Sequence, residues 1–236
     1  MNKIALLGAL TLGATLSLSA TASEHGHAAA KVEPWTLQHW DETAAAMPKG
    51  DAMRGSELHK NSMCMTCHGE NGVAPSRNAP SLAGNTPEFI YKTLLDYRSG
   101  LRNEGDGKSS VMIAATQPMS NQHMADLAAF YAQQVIPAPA AMASVDPQID
   151  RLVRKGDASR MITPCASCHG AHGEGNEVTP ALAGQTAHYF VRTMHAYKNG
   201  HRNNDINEGM SQFTHDLTDA EIDALAQYYA SLNRKP

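Results

Sequence analysis

The 236-residue sequence has few aromatic side chains and, beyond its amino terminus, no long hydrophobic run. Aromatic residues make up 6% of the chain, while hydrophobic residues of all kinds make up 42%. A core must therefore come from Ala, Leu and Met, or be completed by a large apolar cofactor. Alternating strand patterns of useful length are also absent, which argues against an all-β fold.

Basic residues are too few for a nucleic-acid-binding protein. The chain has 19 Lys and Arg against 23 Asp and Glu, for a formal net charge of −4. Binding to phosphate backbones needs a basic surface. This balance excludes nucleic acid as a partner.

The amino terminus has the pattern of a secretory signal peptide. Lys3 supplies the positive charge, residues 4–18 are an apolar stretch, and Ala-Thr-Ala at 20–22 is a small-x-small cleavage site. The alternative is an uncleaved membrane anchor, but the apolar run is short for a span of about 20 residues. We expect residues 1–22 to be removed and the protein to be periplasmic, with no transmembrane segment in the mature chain.

The chain contains the same four sequence blocks twice, in the same order and 98 to 101 residues apart. A repeated order of this kind indicates duplication of one small domain. We expect a first domain at 49–136, an extended Pro- and Ala-rich linker at 137–147 and a second domain at 148–236. Residues 23–48 form an amino-terminal arm without a counterpart, expected to be partly ordered at best. The paired blocks are CMTCHGENG (from 64) and CASCHGAHG (from 165), PSLAGN (80) and PALAGQ (180), YRSGLRN (97) and YKNGHRN (197), and MSNQHMADLAAFYA (119) and LTDAEIDALAQYYA (217).

Both copies are predicted to be helical. Thr86-Pro87 begins one helix and Gly100 ends it, with a counterpart at about 186–200. Thr218 with Glu221 forms a capping box that begins the last helix. Short helices are expected before each cysteine pair, at about 51–60 and 150–160. Apolar residues at helical spacing predict the buried faces of the two last helices, with Met124, Leu127 and Tyr131 on one and Ile222, Leu225, Tyr229 and Leu232 on the other.

All four cysteines lie in two Cys-x-x-Cys-His units, Cys64-Cys67-His68 and Cys165-Cys168-His169. This unit is the attachment signature of c-type haem, because two thiols reach the vinyl groups of one porphyrin edge while the adjacent imidazole binds the iron. A zinc site would bring its cysteine pairs about 15–20 residues apart, and these lie almost a hundred apart. Disulfides would leave both histidines unexplained, and a thioredoxin-like motif needs a βαβ pattern. The sequence therefore predicts two covalently bound haem c groups.

The register of the duplication predicts the sixth iron ligands. Met112 lies seven residues before Met119, and Met210 lies seven before Leu217, so the two methionines are equivalent. A Met thioether opposite His raises the reduction potential, as in electron carriers. Met119 and Met124 correspond to Leu217 and Ile222 and are predicted to be core residues. The competing ligands His201 and His215 have no histidine counterpart in the first copy.

With these motifs, the sequence resembles the class I cytochromes c, in particular the di-haem cytochrome c4 family. The resemblance covers about four-fifths of the chain and implies an all-α fold of two tandem domains, each a small helical bundle around one haem. It further implies that the carbonyls of Pro80 and Pro180 support the ring nitrogens of His68 and His169. Tyr97, Tyr197, Arg102 and Arg202 would lie near haem propionates or the domain interface, and the alternative is that they are ordinary helix-end residues.

The resemblance implies an electron-transfer protein rather than an enzyme. Its redox partners would be a quinol-oxidising complex or dehydrogenase as the donor and a terminal oxidase as the acceptor. One alternative is the di-haem electron-accepting subunit of a sulfur-oxidising flavocytochrome complex. A second is a catalytic haem enzyme, which would need an open iron or a cysteine ligand. Two methionine ligands and the absence of a fifth cysteine argue against it.

Overall fold

The computed structural model describes residues 33–77, 79–139 and 146–234. The predicted signal peptide and the first part of the arm lie outside these residues. The first half contains α1 (Leu37–Ala45), α2 (Ala52–Asn61), α3 (Met65–His68), α4 (Pro87–Ser99), α5 (Gly107–Thr116) and α6 (Asn121–Ala132). The second half contains α7 (Pro147–Lys155), α8 (Cys165–His169), α9 (Ala187–Lys198), α10 (Gly209–Thr214) and α11 (Asp219–Ala230), with short 3₁₀ turns at Ala158–Arg160 and Ile206–Glu208.

The predicted all-α class is confirmed. The described residues form no strand and only two isolated β-bridges. None of the helices within those ranges is both long and apolar enough to cross a membrane.

Local signals at the helix ends explain where the main helices begin. The Thr218 hydroxyl accepts a hydrogen bond from the amide of Glu221, and the Glu221 carboxylate accepts one from the amide of Thr218. Ser120 and His123 form the same reciprocal box before α6. These bonds satisfy amides that have no partner within the first turn.

In the first domain, α6 crosses α2 at very close range. A Cβ atom on Gly55 would lie 2.0 Å from the carbonyl oxygen of Asp126 and 2.8 Å from the Cβ of Phe130. The helices can approach this closely only because Gly55 has no side chain. Asp126 also binds the Arg54 guanidinium through both carboxylate oxygens, at 2.8 Å each.

Each half has its own apolar core, and the predicted faces of α6 and α11 supply much of both. Met124, Leu127 and Tyr131 are buried in the first core. Ile222, Leu225 and Tyr229 are buried in the second, with Leu232 packed at its margin. The 3.6-residue period therefore identified the core-facing sides of these helices correctly.

The helix before the second cysteine pair begins and ends earlier than expected. Asp146 caps α7 and Pro147 occupies its first position, so the last residue of the expected linker belongs to the helix. Gly156, at φ 65°, ends it, and a Cβ there would lie 2.1 Å from the carbonyl oxygen of Ile162. A β-bridge between Asp157 and Ile162 then closes the turn.

The described part of the amino-terminal arm, residues 33–48, packs on the two domains. Thr36 caps α1, and the indole rings of Trp35 and Trp40 are buried against the first core. Trp35 also accepts a hydrogen bond at its carbonyl from the amide of Asn207, at 2.9 Å, in the second half. The Trp40 indole donates to the Glu177 carboxylate at 3.0 Å. The arm therefore contacts both domains.

The contacts between the two domains come in equivalent pairs, in which each half binds the corresponding part of the other. The Gln185 side chain accepts from the amide of Ser81 and donates to its carbonyl, both at 3.0 Å. In the equivalent place, the Asn85 side chain accepts from the amide of Ala181 at 3.0 Å. Arg234, near the carboxyl terminus, donates to the carbonyls of Ala83, Ala181 and Ala183.

Candidate haem sites

Each Cys-x-x-Cys-His unit forms a single short helical turn. In the first, the amide of His68 donates to the carbonyl of Cys64 at 3.0 Å, and Gly69 ends the turn at φ 78°. In the second, α8 spans the whole unit, and Gly170 ends it at φ 84°. No disulfide joins the four cysteines, all of which lie in described residues. One helical turn thus brings two free thiols and one imidazole together, as covalent haem attachment requires.

Both histidines are buried and held by a proline carbonyl. His68 Nδ1 lies 2.9 Å from the carbonyl oxygen of Pro80, and His169 Nδ1 lies 2.9 Å from that of Pro180. A carbonyl can only accept, so Nδ1 carries the proton and Nε2 keeps its lone pair. Burial lowers the pKa of both imidazoles, which favours the neutral form that binds a metal.

The cavities contain the histidines and the predicted methionines together. A cavity of about 320 Å³, lined by residues of both halves, contacts His68, Met112, His169 and Met210. A second cavity of about 300 Å³ extends from His68 and Met112 to the surface around Lys108. Each half therefore places one imidazole and one thioether on the walls of a common space.

The two methionines occupy equivalent turns, although the loops before them differ. Thr116 Oγ1 donates to the carbonyl of Met112 at 3.0 Å, and Thr214 Oγ1 donates to that of Met210 at 2.8 Å. Met112 lies within the regular helix α5. Met210 lies at the start of the short α10, after a turn in which Asn207 has a φ of 52°.

The competing ligands lie elsewhere. His201 and His215 are exposed and line neither cavity. His215 instead pairs with the adjacent carboxylate of Asp216 at 2.7 Å. Met124 is fully buried in the first core and Met119 packs at its margin, so neither contacts the cavities.

The predicted arginines and tyrosines meet in the buried space between the domains. The guanidinium carbon of Arg102 lies 4.6 Å from the Tyr97 ring centroid, and that of Arg202 lies 4.5 Å from the Tyr197 centroid. Both arginines are 4% exposed and line the larger cavity. All four residues line the larger cavity, whose walls come from both halves.

The electrostatics of this space favour an anionic ligand. Arg202 Nη1 is buried and has no hydrogen-bond partner among the described residues. Burial raises the pKa of Tyr189, but the guanidinium groups of Arg102 and Arg202 outweigh burial and lower it to about 7. Two haem groups would bring negatively charged propionates to these cations. The donor set, the apolar walls and the unpaired guanidinium atom therefore fit haem.

Tyr189 and Glu104 contact this space, although the sequence motifs did not identify them. The Tyr189 hydroxyl accepts a hydrogen bond from Arg102 at 3.1 Å, and the Glu104 carboxylate accepts one from Arg102 Nε at 2.9 Å. Their duplicated positions carry Phe89 and Asn204. These differences between equivalent positions, a polar ring against an apolar one and a charged side chain against a neutral one, could have identified both residues from the sequence.

Comparison with known proteins gives a consistent assignment. The Cytochrome c family model matches residues 52–134 and 155–233, so each match contains one Cys-x-x-Cys-His unit. Cytochrome c4 of Thiocapsa roseopersicina is 34% identical over 198 residues, covering 81% of this chain and 97% of that protein. The thiosulfate dehydrogenase electron acceptor of Stutzerimonas stutzeri is 32% identical over 179 residues, covering 73% and 80%.

A solved structure shows the same arrangement of two domains. Reduced recombinant cytochrome c4 from Pseudomonas stutzeri superimposes with a TM-score of 0.70 at 31% identity, covering 78% of this chain and all of that one. Two family matches mean two covalent haem c groups. The chain therefore belongs to the cytochrome c family, as a di-haem electron-transfer protein of the cytochrome c4 group.

Proposed function

We propose that this protein is a periplasmic electron carrier with two six-coordinate haem sites. In the first, Cys64 and Cys67 hold the haem while His68 and Met112 bind its iron. In the second, the corresponding residues are Cys165, Cys168, His169 and Met210. The observation that carries the proposal is that each half places one carbonyl-supported imidazole and one thioether on the wall of a shared cavity.

The protein's own residues would make these sites suitable for electron transfer. Each bound haem supplies an iron that alternates between the ferric and ferrous states and so holds or releases one electron. Pro80 and Pro180 fix the ring orientation and tautomer of the histidines. With one imidazole and one thioether available to each iron, no iron position would remain open for a substrate, which favours a carrier over a catalytic haem enzyme.

Export to the periplasm is part of the proposal. The signal-like pattern of residues 1–22 supports it. We propose domain bounds of 49–136 and 147–236, since Pro147 belongs to α7, with the linker at 137–146 between them. A quinol-oxidising complex or a dehydrogenase would be the electron donor, and a terminal oxidase the acceptor.

A second candidate is the electron-accepting partner of a sulfur-oxidising enzyme. The similarity to the thiosulfate dehydrogenase electron acceptor of Stutzerimonas stutzeri supports it. The two candidates differ in the stability of their complexes, because electron-transfer encounters of free carriers use small and weak interfaces. A stoichiometric enzyme partner that stays bound during purification would favour the second candidate.

Spectroelectrochemistry of the purified holoprotein tests the central proposal. We expect two one-electron waves and, in the oxidised protein, the weak long-wavelength absorption band of methionine bound to ferric haem, with an intensity that corresponds to two haems. A band corresponding to a single haem, or a high-spin ferric spectrum at one site, would contradict the carrier assignment and reopen a catalytic one.

A further inference from the structure

The buried carboxylate of Asp96 joins three separate parts of the chain. Its Oδ1 accepts a hydrogen bond from the Trp35 indole of the arm at 2.5 Å. Its Oδ2 accepts from Lys92 Nζ at 2.8 Å and from the Asn204 side-chain amide of the second domain. All three partners are donors, so the two carboxylate oxygens act only as acceptors, and the group is fully buried.

Asn204 links this carboxylate to the second haem site. While its amide nitrogen donates to Asp96, its side-chain oxygen accepts from Arg202 Nε at 2.8 Å. The Lys92 ammonium also donates to the Asn204 backbone carbonyl at 2.6 Å, which fixes the loop. The other end of the Arg202 guanidinium, Nη1, is buried without a hydrogen-bond partner among the described residues, and Arg202 lines the larger cavity.

The first haem site lacks this chain of side-chain hydrogen bonds. There, Arg102 Nε binds Glu104 directly, and the residue equivalent to Asp96 in the second copy is Ala196. The arm has no counterpart before the second domain, and residues 33–48 precede both family-model matches. The side-chain hydrogen bonds from Trp35 through Asp96 and Asn204 therefore end at Arg202, whereas Asp96 meets Arg102 only through its main-chain carbonyl, at 3.0 Å.

We propose that Trp35 is a positioning residue for the second haem. Its indole N–H holds Asp96, and Asp96 through Asn204 holds Arg202 toward the cavity, so that the arm tunes the reduction potential of the second haem and not of the first. This inference rests on the haem assignments proposed above.

The direction in which the reduction potential changes follows from the charge of Asp96. A buried negative charge near a haem stabilises the ferric form and lowers the potential, and each hydrogen bond donated to that charge weakens this effect. Trp35→Phe removes one of the three donors but keeps an aromatic ring against Trp40. The charge of Asp96 then acts more strongly on the second haem, and Arg202 loses part of its support.

Potentiometric titration of the holoprotein variants tests the proposal. We expect Trp35→Phe to lower the midpoint potential of one wave and leave that of the other unchanged. The Met210→His variant assigns which wave belongs to the second haem. Asp96→Asn removes the charge but keeps an oxygen that can accept from Trp35, so we expect it to move the same wave upward. Opposite shifts at one haem would not arise from general loosening of the fold, and the visible and far-ultraviolet spectra report whether each variant is folded.

Trp40→Phe is the matched control. Its indole donates to Glu177, an exposed residue outside both cavities, where water can replace the lost donor. Both waves should stay in place in this variant. If Trp35→Phe shifts neither wave, or if Trp40→Phe produces the same shift, the proposal is wrong. Absence of two methionine-ligated haems in the unmodified protein would instead overturn the proposed function.

Discussion

The Gln185 side chain makes two hydrogen bonds to the Ser81 backbone across the domain interface. It accepts from the Ser81 amide and donates to the Ser81 carbonyl, both at 3.0 Å. Asn85, at the duplicated position of Gln185, has one methylene fewer. Its oxygen reaches the amide of Ala181 at 3.0 Å, whereas its nitrogen turns back to the carbonyl of Leu82 at 3.0 Å. One methylene thus changes a two-bond contact into a one-bond contact.

Hydrogen exchange can measure these two contacts separately. We expect Gln185→Leu to speed exchange of the Ser81 amide by about fivefold, because a net hydrogen bond contributes about 1 kcal/mol. Asn85→Leu should speed exchange of the Ala181 amide by a similar factor. Each variant should have the smaller effect at the other amide. Equal acceleration at both amides in either variant would mean that these bonds do not act individually.

Single substitutions of the proposed methionine ligands should show how much of the long-wavelength absorption band comes from each haem site. Met112→Ala and Met210→Ala should each remove about half of the long-wavelength methionine band, because each removes one of two thioether ligands. Met112→His and Met210→His should each lower one wave, since methionine ligation raises the potential relative to a second histidine. Met119→Leu and Met124→Leu are the controls and should retain the whole band. Loss of the band in either control would contradict the predicted ligands.

The two equivalent tyrosine hydroxyls should differ in their contribution to stability. The Tyr131 hydroxyl bonds to His59 Nδ1 at 2.8 Å, within the buried core. The Tyr229 hydroxyl is buried without a hydrogen-bond partner among the described residues, and the nearby sulfur of Cys165 is only a weak acceptor. Tyr131→Phe should therefore lower the free energy of unfolding by about 1–3 kcal/mol, and Tyr229→Phe by less than about 0.5 kcal/mol. Denaturant titration of both holoproteins measures the difference, and equal losses would refute it.

Gly55→Ala should be severely destabilising because of the helix crossing. The added Cβ would lie 2.0 Å from the main-chain oxygen of Asp126, so the backbone of α2 or α6 must move. We expect a loss of about 3 kcal/mol or more in the free energy of unfolding. Gly107→Ala is the control, since a Cβ there meets open space. That variant should be neutral or more stable by up to about 1 kcal/mol. Similar thermal stability of the two variants would rule out the close crossing.

Buried His59 should make the protein less stable in mild acid. Both ring nitrogens are bonded, to the Tyr131 hydroxyl and to the Gly69 carbonyl, and burial lowers its pKa below the ordinary 6.5. Above pH 6.5 the ring is neutral in the folded and unfolded states. As the pH falls below 6.5, the unfolded state binds the proton first, so the free energy of unfolding decreases until the folded state also titrates.

The His59→Gln variant isolates this contribution. Between pH 6.5 and the lower folded pKa, the wild-type protein should lose up to about 1.4 kcal/mol per pH unit more than the variant. Denaturant titrations of both proteins at several pH values provide the slopes. Parallel pH profiles would show that His59 does not contribute.

The sequence predicted those parts of the structure that depend on local signals or on the duplication. The predicted cap at Thr218 lies next to the helix it begins, and the repeat register alone paired Met112 with Met210. The contacts of the arm could not be predicted because they are not local. Trp35 reaches Asp96, 61 residues further along the chain, and Trp40 reaches Glu177, 137 residues further along. No periodicity within residues 33–48 could reveal partners at those distances.

The equivalent contacts at the domain boundary are those of an isologous dimer joined into one chain. Two identical halves related by a true two-fold axis would have equal potentials, and an electron would then have no preferred direction between them. Any downhill direction must come from positions where the halves differ. The arm is present in a single copy, so its contact between Trp35 and Asp96 is such a position, and under the proposal above it would set the two haem potentials apart.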